Sequence, residues 1–168
     1  MHRISHIVGK PIVSAEQGEQ VGKVADVLLD PTTQEIVGLV VAGGLLTSEQ
    51  VLPFKDVQTF GTDTVVVRTA AGVLGPKDWR AERIETSRFS KLKDRLVMTD
   101  AGRELGRVKD IHLDEQTGVV AGLEVHGRHF SGLVERRSTL PDRAMTIGPD
   151  AVIVPDALAT STGSSKRQ

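Results

Sequence analysis

Four aspartates occur in two equally spaced pairs, Asp26 with Asp30 and Asp110 with Asp114. Paired carboxylates can hold a metal ion or act as general acid and base. On a regular strand, however, residues four apart share a face but lie about 13 Å apart, which is too far to share a proton or a Mg²⁺ ion. We therefore predict structural roles. Asp26 and Asp110 bond to free backbone N–H groups at a bulge, and Asp30 and Asp114 open turns.

His126 and His129 form the one histidine pair with ligand-like spacing. Two histidines supply half of a tetrahedral zinc site, and the chain has no Cys to complete it. His112 is near in sequence but falls one strand earlier. The pair is interpreted as part of a solvated loop, and the sequence predicts neither a metal nor a cofactor.

Nucleophilic catalysis has no readable arrangement either. Ser48 and Ser131 lack a His–Asp partnership that the sequence would bring close. The pair Gly43-Gly44 lacks the spacing and the following helix that a phosphate-binding loop needs. We predict that the protein is not an enzyme.

A cationic segment over residues 128–137 contains Arg128, Arg136 and Arg137 beside Phe130. Such a segment can contact phosphate or RNA, although a solvated hairpin with extended arginines is the favoured interpretation. Variable loops carry function more often than barrel strands do. The segment is therefore a candidate interaction surface.

The composition is that of an ordinary globular protein: 168 residues, 39% hydrophobic and 26% charged, with a net charge of −1. Residues 1–84 carry 8 basic and 10 acidic side chains, and residues 85–168 carry 13 and 12. This balance argues against a dedicated nucleic-acid binder. The absence of Cys excludes disulfides and thiol catalysis and fits a reducing cytosol. No apolar run approaches the roughly 20 residues of a membrane span, so we expect a cytoplasmic protein without a transmembrane segment.

An internal repeat organises the chain. Residues 18–41 and 102–125 align without a gap at a shift of 84 positions, and 10 of the 24 aligned positions are identical. The similarity resumes in the stretches that begin at Gly61 (GTDTVVV) and Gly148 (GPDAVIV). The second copy is longer mainly in residues 126–139. This pattern indicates a duplication.

The repeat predicts four segments: unit one at residues 4–68, a connector at 69–88, unit two at 89–156, and a disordered Ser/Thr/Gly-rich tail at 157–168. A unit of this size buries a thin core and is marginally stable alone. In the connector we predict a short helix capped by Asp78, with Trp79 as a packing anchor between the units.

Short Val-rich runs between Gly, Asp and Pro predict strands and tight turns, and therefore an all-β fold. Val24 and Val27 are three positions apart, so strict alternation cannot bury both on one face. A bulge near Asp110 and its counterpart Asp26 would reset the register.

On the returning strand of unit one, alternation places Val37 inside and Ile36 and Val40 outside, where unit two has Val120 and Glu124. Outward apolar residues often mark a contact with another domain or chain. That contact is either with unit two, which closes a monomer, or with a second copy of unit one, which forms a homodimer. In both cases we predict that Ile36 and Val40 are buried.

The sequence resembles the PRC-barrel domain family. The resemblance rests on residues 8–30 (VGKPIVSAEQGEQVGKVADVLLD), 36–41 (IVGLVV), 52–57 (LPFKDV) and 61–67 (GTDTVVV), with a degenerate second copy. That family is named from the photosynthetic reaction-centre H subunit and includes the C-terminal domain of a bacterial ribosome-maturation factor. The resemblance implies two tandem small β-barrels that serve in docking and share no catalytic residues.

We expect a non-enzymatic adaptor that works through protein–protein contacts with a partner of unknown identity. The alternative, by analogy with the ribosome-maturation factor, is an RNA- or ribosome-associated accessory factor. A small-ligand barrel is disfavoured because a barrel of this size fills its interior with side chains. The predicted interaction surface combines the outer sheet of unit one with the Arg-rich segment: Ile36, Val40, Leu45, Leu46, Arg128, Phe130, Arg136 and Arg137.

Overall fold

The computed structural model describes residues 2–43, 49–81, 86–127, 131–135 and 145–160. Within these ranges most elements are strands. The α-helices there are short: α1 (Ile4–Ile7), α2 (Pro76–Ala81), α3 (Phe89–Leu92) and α4 (Asp156–Thr160).

Unit one forms a sheet with the strand order β5-β4-β3-β2-β7-β6. Its strands are β2 (Pro11–Ser14), β3 (Gln20–Asp30), β4 (Glu35–Ala42), β5 (Gln50–Pro53), β6 (Val57–Phe60) and β7 (Val65–Val67). Strands β2 and β7 pair in parallel, and the other pairs are antiparallel.

Unit two repeats this arrangement with the order β12-β11-β10-β9-β14-β13. Its strands are β9 (Leu96–Thr99), β10 (Glu104–Leu113), β11 (Val120–His126), β12 (Ser131–Glu135), β13 (Thr146–Ile147) and β14 (Ala151–Val154). As in unit one, the first strand of the unit pairs in parallel with the last, here β9 with β14. The predicted duplication and the predicted all-β class are confirmed.

The predicted bulge is present in both copies. The pairing of β3 with β4 shifts between Val24 and Asp26, and that of β10 with β11 shifts between Val108 and Asp110. The shift brings Val24 and Val27 to the same buried face, as the sequence requires.

A second bulge, which the sequence did not predict, lies at the far end of the same strands. The register shifts between Leu28 and Leu29, so Leu28 pairs with Gly38 and Leu29 pairs with Ile36. This shift reverses the expected parity at the start of β4. Ile36 enters the main core, and Val37 packs on the opposite face.

Unit two shows the same reversal. Its register shifts between His112 and Leu113, and Val120 is buried in the main core although alternation placed it outside.

One hydrophobic core runs through both units. It joins Leu29, Leu39 and Val65 of unit one to Ile111 and Val152 of unit two, all of them at most 2% exposed. A shared core answers the stability problem of two thin units, because each unit buries apolar surface that it could not cover alone.

The connector packs on unit one. Helix α2 begins at Pro76, two residues before the predicted cap Asp78, and proline suits the first position of a helix because its missing N–H is not needed there. Trp79 forms a small separate cluster with Leu28, Val40 and Val51. The expected anchor between the units is therefore an anchor of the connector on unit one.

The chain end is ordered further than composition predicts. Helix α4 covers Asp156–Thr160, and Leu158 and Ala159 are buried in the main core. These two apolar residues explain why the helix docks, since burial of apolar area offsets the entropy of ordering. The rest of the predicted tail, residues 161–168, lies outside the described residues.

Candidate functional site at the junction of the units

The first residues of each copy cross to the sheet of the other copy. Strand β1 (His2–Arg3) pairs antiparallel with β10 of unit two, with Arg3 opposite His112. Strand β8 (Ser87–Arg88) pairs antiparallel with β3 of unit one, with Arg88 opposite Leu28. We call residues 2–7 arm one and residues 87–92 arm two. The exchange is reciprocal, so the two units are joined by matching contacts.

Each arm turns into a single helical turn that buries two apolar side chains. Ile4 and Ile7 of arm one are fully buried, and Phe89 and Leu92 of arm two are 6% and 1% exposed. A spacing of three places both side chains on one face of the turn, towards the shared core. Each such side chain contributes about 1.5–3 kcal/mol when fully buried, so the arms are held chiefly by apolar contact.

Asp110 joins arm one to unit two. Its carboxylate, in a residue only 4% exposed, accepts the N–H of Ile111 at 2.9 Å and the N–H of Ser5 at 3.1 Å, and also the hydroxyl of Ser5. The bulge leaves the Ile111 N–H free to bond to the Asp110 side chain, as predicted from sequence. The contact with the serine of the other unit was not predicted.

Asp26 does the same for arm two. It accepts the N–H of Val27 at 2.8 Å, the N–H of Ser90 at 3.2 Å and the hydroxyl of Ser90 at 2.5 Å. We call the two serine–aspartate contacts clasps. A signal for them exists in the sequence, because the arms share the order basic, apolar, Ser in residues 3–5 and 88–90.

A third contact joins the two hairpins. The Ile36 N–H donates to the Gly118 carbonyl at 2.8 Å, and the Val120 N–H donates to the Gln34 carbonyl at 2.9 Å. Gly118 has φ of 76°, and a Cβ there would lie 2.7 Å from the Cγ2 atom of Ile36 and from a ring carbon of Phe54. Only glycine fits this approach, which buries Ile36 against unit two.

Gln34 occupies the matching hairpin position of unit one with a φ of 59°, and its side chain is buried. Its amide donates to the carbonyl of Met145 in unit two. Asparagine and glycine are commoner in this left-handed conformation. The cross-unit hydrogen bond gives a reason for glutamine here.

The remaining two aspartates open their turns as predicted. Asp30 accepts the N–H groups of Thr32 and Thr33 at 2.7 and 3.1 Å. Asp114 accepts the corresponding pair, and these backbone N–H bonds lower the pKa of its carboxyl. All four aspartates therefore bind backbone N–H groups.

Glu124 of unit two, which occupies the position equivalent to Val40 of unit one, is the centre of a polar cluster. The Glu124 carboxylate lies 3.1 Å from Lys109 Nζ, 3.2 Å from His112 Nε2 and 3.6 Å from Arg3 Nε of arm one. Burial raises the pKa of Glu124, but the bonds from His112 and Lys109 and the charges of Arg3 and Lys109 together lower it below its ordinary value of 4.5. The cluster ties arm one to unit two by charge.

Glu124→Gln tests this cluster through its pH dependence. A carboxylate whose pKa is depressed in the fold stabilises it above the unfolded pKa, and this contribution disappears as pH falls through the folded pKa. We expect wild type to be more stable than Glu124→Gln by at most about 1 kcal/mol near neutral pH, because the Arg3 and Lys109 partners are exposed and solvent screens their charge. The gap should close as the pH falls below 4.5. Urea melts across this range measure it, and a gap that widens in acid would contradict the assignment.

The residues of the predicted interaction surface have separate outcomes. Ile36 is 3% exposed at the hairpin contact with unit two, and Val40 is 2% exposed beneath Trp79 of the connector. Their predicted burial is confirmed, but the cover over Val40 is the connector and not unit two or a second copy as expected. Neither side chain is free to contact a partner. The single chain covers both without a second copy. The other candidates lie outside the described residues: Leu45, Leu46, Arg128, Phe130, Arg136 and Arg137.

The described residues contain no group of three or more His, Asp or Glu side chains that could hold a metal ion. His126 ends β11 as an exposed residue, and His129 lies outside the described ranges. Across the described residues, no helix has the length and apolar character needed to cross a membrane.

Comparison with known proteins agrees with the repeat. No curated protein matches the chain. A family model described as PRC-barrel domain matches residues 1–74 and again residues 84–158. Each match includes one arm together with the unit that follows it in sequence. The chain therefore belongs to the PRC-barrel domain family and contains two copies of the domain, whose arms are exchanged.

Proposed function

We propose that the protein is a non-enzymatic adaptor that holds two PRC-barrel copies as one rigid docking platform. The observation that carries this proposal is the reciprocal exchange of arms one and two. It fixes the two copies against each other through paired strands, two clasps and a common core. A partner therefore meets two barrel surfaces at a set distance and orientation.

Rigidity favours docking because a preformed surface loses little conformational entropy when it binds. The duplicated scaffold also presents two surfaces that differ in charge, since His6 and Val8 of unit one correspond to the exposed Lys91 and Lys93 of unit two. Family membership supports the same proposal, because the resemblance implies a scaffold used for docking.

Capture and reconstitution test the proposal. The tagged full chain is cross-linked in lysate, its partner is identified and purified, and the complex is rebuilt from the two pure proteins. We expect saturable one-to-one binding in calorimetry, with micromolar or tighter affinity of about −8 kcal/mol. As control, Asp63→Ala alters an exposed aspartate of unit one and should bind normally.

Two outcomes would overturn the adaptor. One is turnover of a substrate by the purified protein in a broad hydrolase screen. The other is salt-sensitive co-sedimentation with ribosomal particles that is lost in Arg136→Ala/Arg137→Ala, which would favour the RNA- or ribosome-associated alternative.

A further inference from the structure

Four basic side chains gather at one end of unit two. Lys91 lies in helix α3 of arm two, and Lys93 directly follows that helix. Arg95 precedes β9, and Arg107 lies on β10. The Val108 N–H donates to the Arg95 carbonyl at 2.9 Å, so the turn runs alongside β10. We call these four residues the cationic pole.

The two arginines are held in place by neutral groups. Arg107 Nη1 donates to the Asp94 carbonyl at 2.9 Å. Arg95 donates to the Gly148 carbonyl at 2.7 Å and to the Lys91 carbonyl at 3.1 Å. Carbonyl acceptors fix a guanidinium without cancelling its charge, so the side chains are ordered and remain positive.

None of the four basic side chains forms an ion pair within the described part of the chain. The ion pairs found there involve other residues, although Asp94 and Asp150 are close in sequence to these contacts. Lys91, Lys93 and Arg107 are exposed. Their charge is available to a partner.

Unit one shows that the fold does not require the charge of Lys91 and Lys93. Lys10 takes the place of Arg95 and donates to the Gly61 carbonyl at 2.7 Å, which is the same contact. His6 and Val8 stand where unit two has Lys91 and Lys93. Two of the four positions are therefore basic in both copies, Arg95 with Lys10 and Arg107 with Lys23, and the two lysines are an addition of unit two.

We propose that the cationic pole binds a carboxylate-rich segment of the protein partner. This inference rests on the proposed adaptor function. The Nε and Nη2 groups of Arg107 make no hydrogen bond within the described residues, and together they form the two-pronged donor that suits a carboxylate. Lys91 and Lys93 add charge beside it.

Protein carboxylates fit the pole better than RNA does. The whole chain has a net charge of −1, so it lacks the extended positive field with which nucleic-acid-binding proteins attract a continuous phosphate backbone. Phe89, the aromatic residue of arm two, is buried in the core and cannot stack on a base. A short acidic segment needs only the local complementarity that the pole provides.

The test measures binding of a fluorescein-labelled oligoglutamate peptide and of a labelled oligouridine RNA to the full chain by anisotropy. Lys91→Glu/Lys93→Glu reverses two charges whose ammonium groups make no hydrogen bond or ion pair within the described residues. Lys23→Glu/Lys77→Glu is the matched control, because it changes the net charge equally at exposed lysines of unit one and the connector. We expect peptide affinity to fall about tenfold or more in the first variant and to stay within about twofold of wild type in the control.

Equal weakening by both variants, or no peptide binding at low salt, would overturn the inference. Tighter binding of the RNA with the same dependence on Lys91 and Lys93 would assign the pole to nucleic acid instead. The adaptor itself is judged separately: a captured partner that binds Lys91→Glu/Lys93→Glu normally contradicts the pole and leaves the adaptor standing. Peptide binding without any captured partner contradicts the adaptor.

Discussion

Asp110→Ala should lower the free energy of unfolding by about 3–5 kcal/mol, one of the largest effects expected for a single polar side chain of this protein. The substitution leaves the Ile111 N–H, the Ser5 N–H and the Ser5 hydroxyl without their acceptor. An unsatisfied buried donor such as the Ile111 N–H costs about 1–3 kcal/mol. The two donors of Ser5 cost less each, because Ser5 is exposed and water can replace the lost acceptor. The total is a large share of the 5–15 kcal/mol that stabilises a typical domain.

Urea denaturation of Asp110→Ala, Ser5→Ala and the double variant measures the clasp as a double-mutant cycle. Ser5→Ala removes one donor and should cost about 1 kcal/mol. The cost of Asp110→Ala should be smaller in the Ser5→Ala background, because one donor is already gone. Asp63→Ala, at an exposed position, should change little. Additive effects would show that the Ser5 hydroxyl does not contribute to the clasp.

The local features of this fold can be predicted from sequence because their causes are local. Asp30 and Asp114 open turns whose N–H groups lie two and three residues away. The bulge at Asp26 and Asp110 follows from the three-residue spacing of the flanking apolar residues. In each case the residues that decide the structure are neighbours in the chain.

The second bulge could not be predicted because the hydrophobic pattern there does not specify which side chains face the core. Leu28 and Leu29 are both apolar, and so are Ile36 and Val37 opposite them. Either parity buries one apolar side chain and exposes another, so alternation cannot choose a register. The choice is made by unit two, whose Gly118 makes room for Ile36.

The exchanged arms escape sequence analysis for a different reason. The pairing strand of each arm has two residues, which is too short to show a period. Each arm binds to an aspartate of the other copy: Ser90 binds Asp26, and Ser5 binds Asp110. In both contacts the two residues are more than sixty positions apart in the sequence. A repeat shows that two units are alike, but it does not show which copy each arm contacts.

Val40→Glu should destabilise the chain by about 3 kcal/mol or more and lower its melting temperature by roughly 6–12 °C. Val40 is 2% exposed and packs with Leu28, Val51 and Trp79. A carboxylate at this position has no cation among these neighbours. The corresponding Glu124 of unit two is tolerated because Arg3, Lys109 and His112 surround it.

Thermal melts, light scattering and tryptophan fluorescence together test this prediction. Trp79 is the only tryptophan of the chain, so a red shift of its emission reports the loosening of the connector directly. Val40→Ala should cost about 2 kcal/mol through the cavity alone, and Thr59→Glu, on the exposed face of β6, controls for a glutamate within a strand. Because Trp79 of the same chain covers Val40, the mass of the folded variant should equal that of wild type. A loss of mass would place Val40 in a homodimer interface, and an unchanged melting temperature and emission would mean that the side chain is exposed.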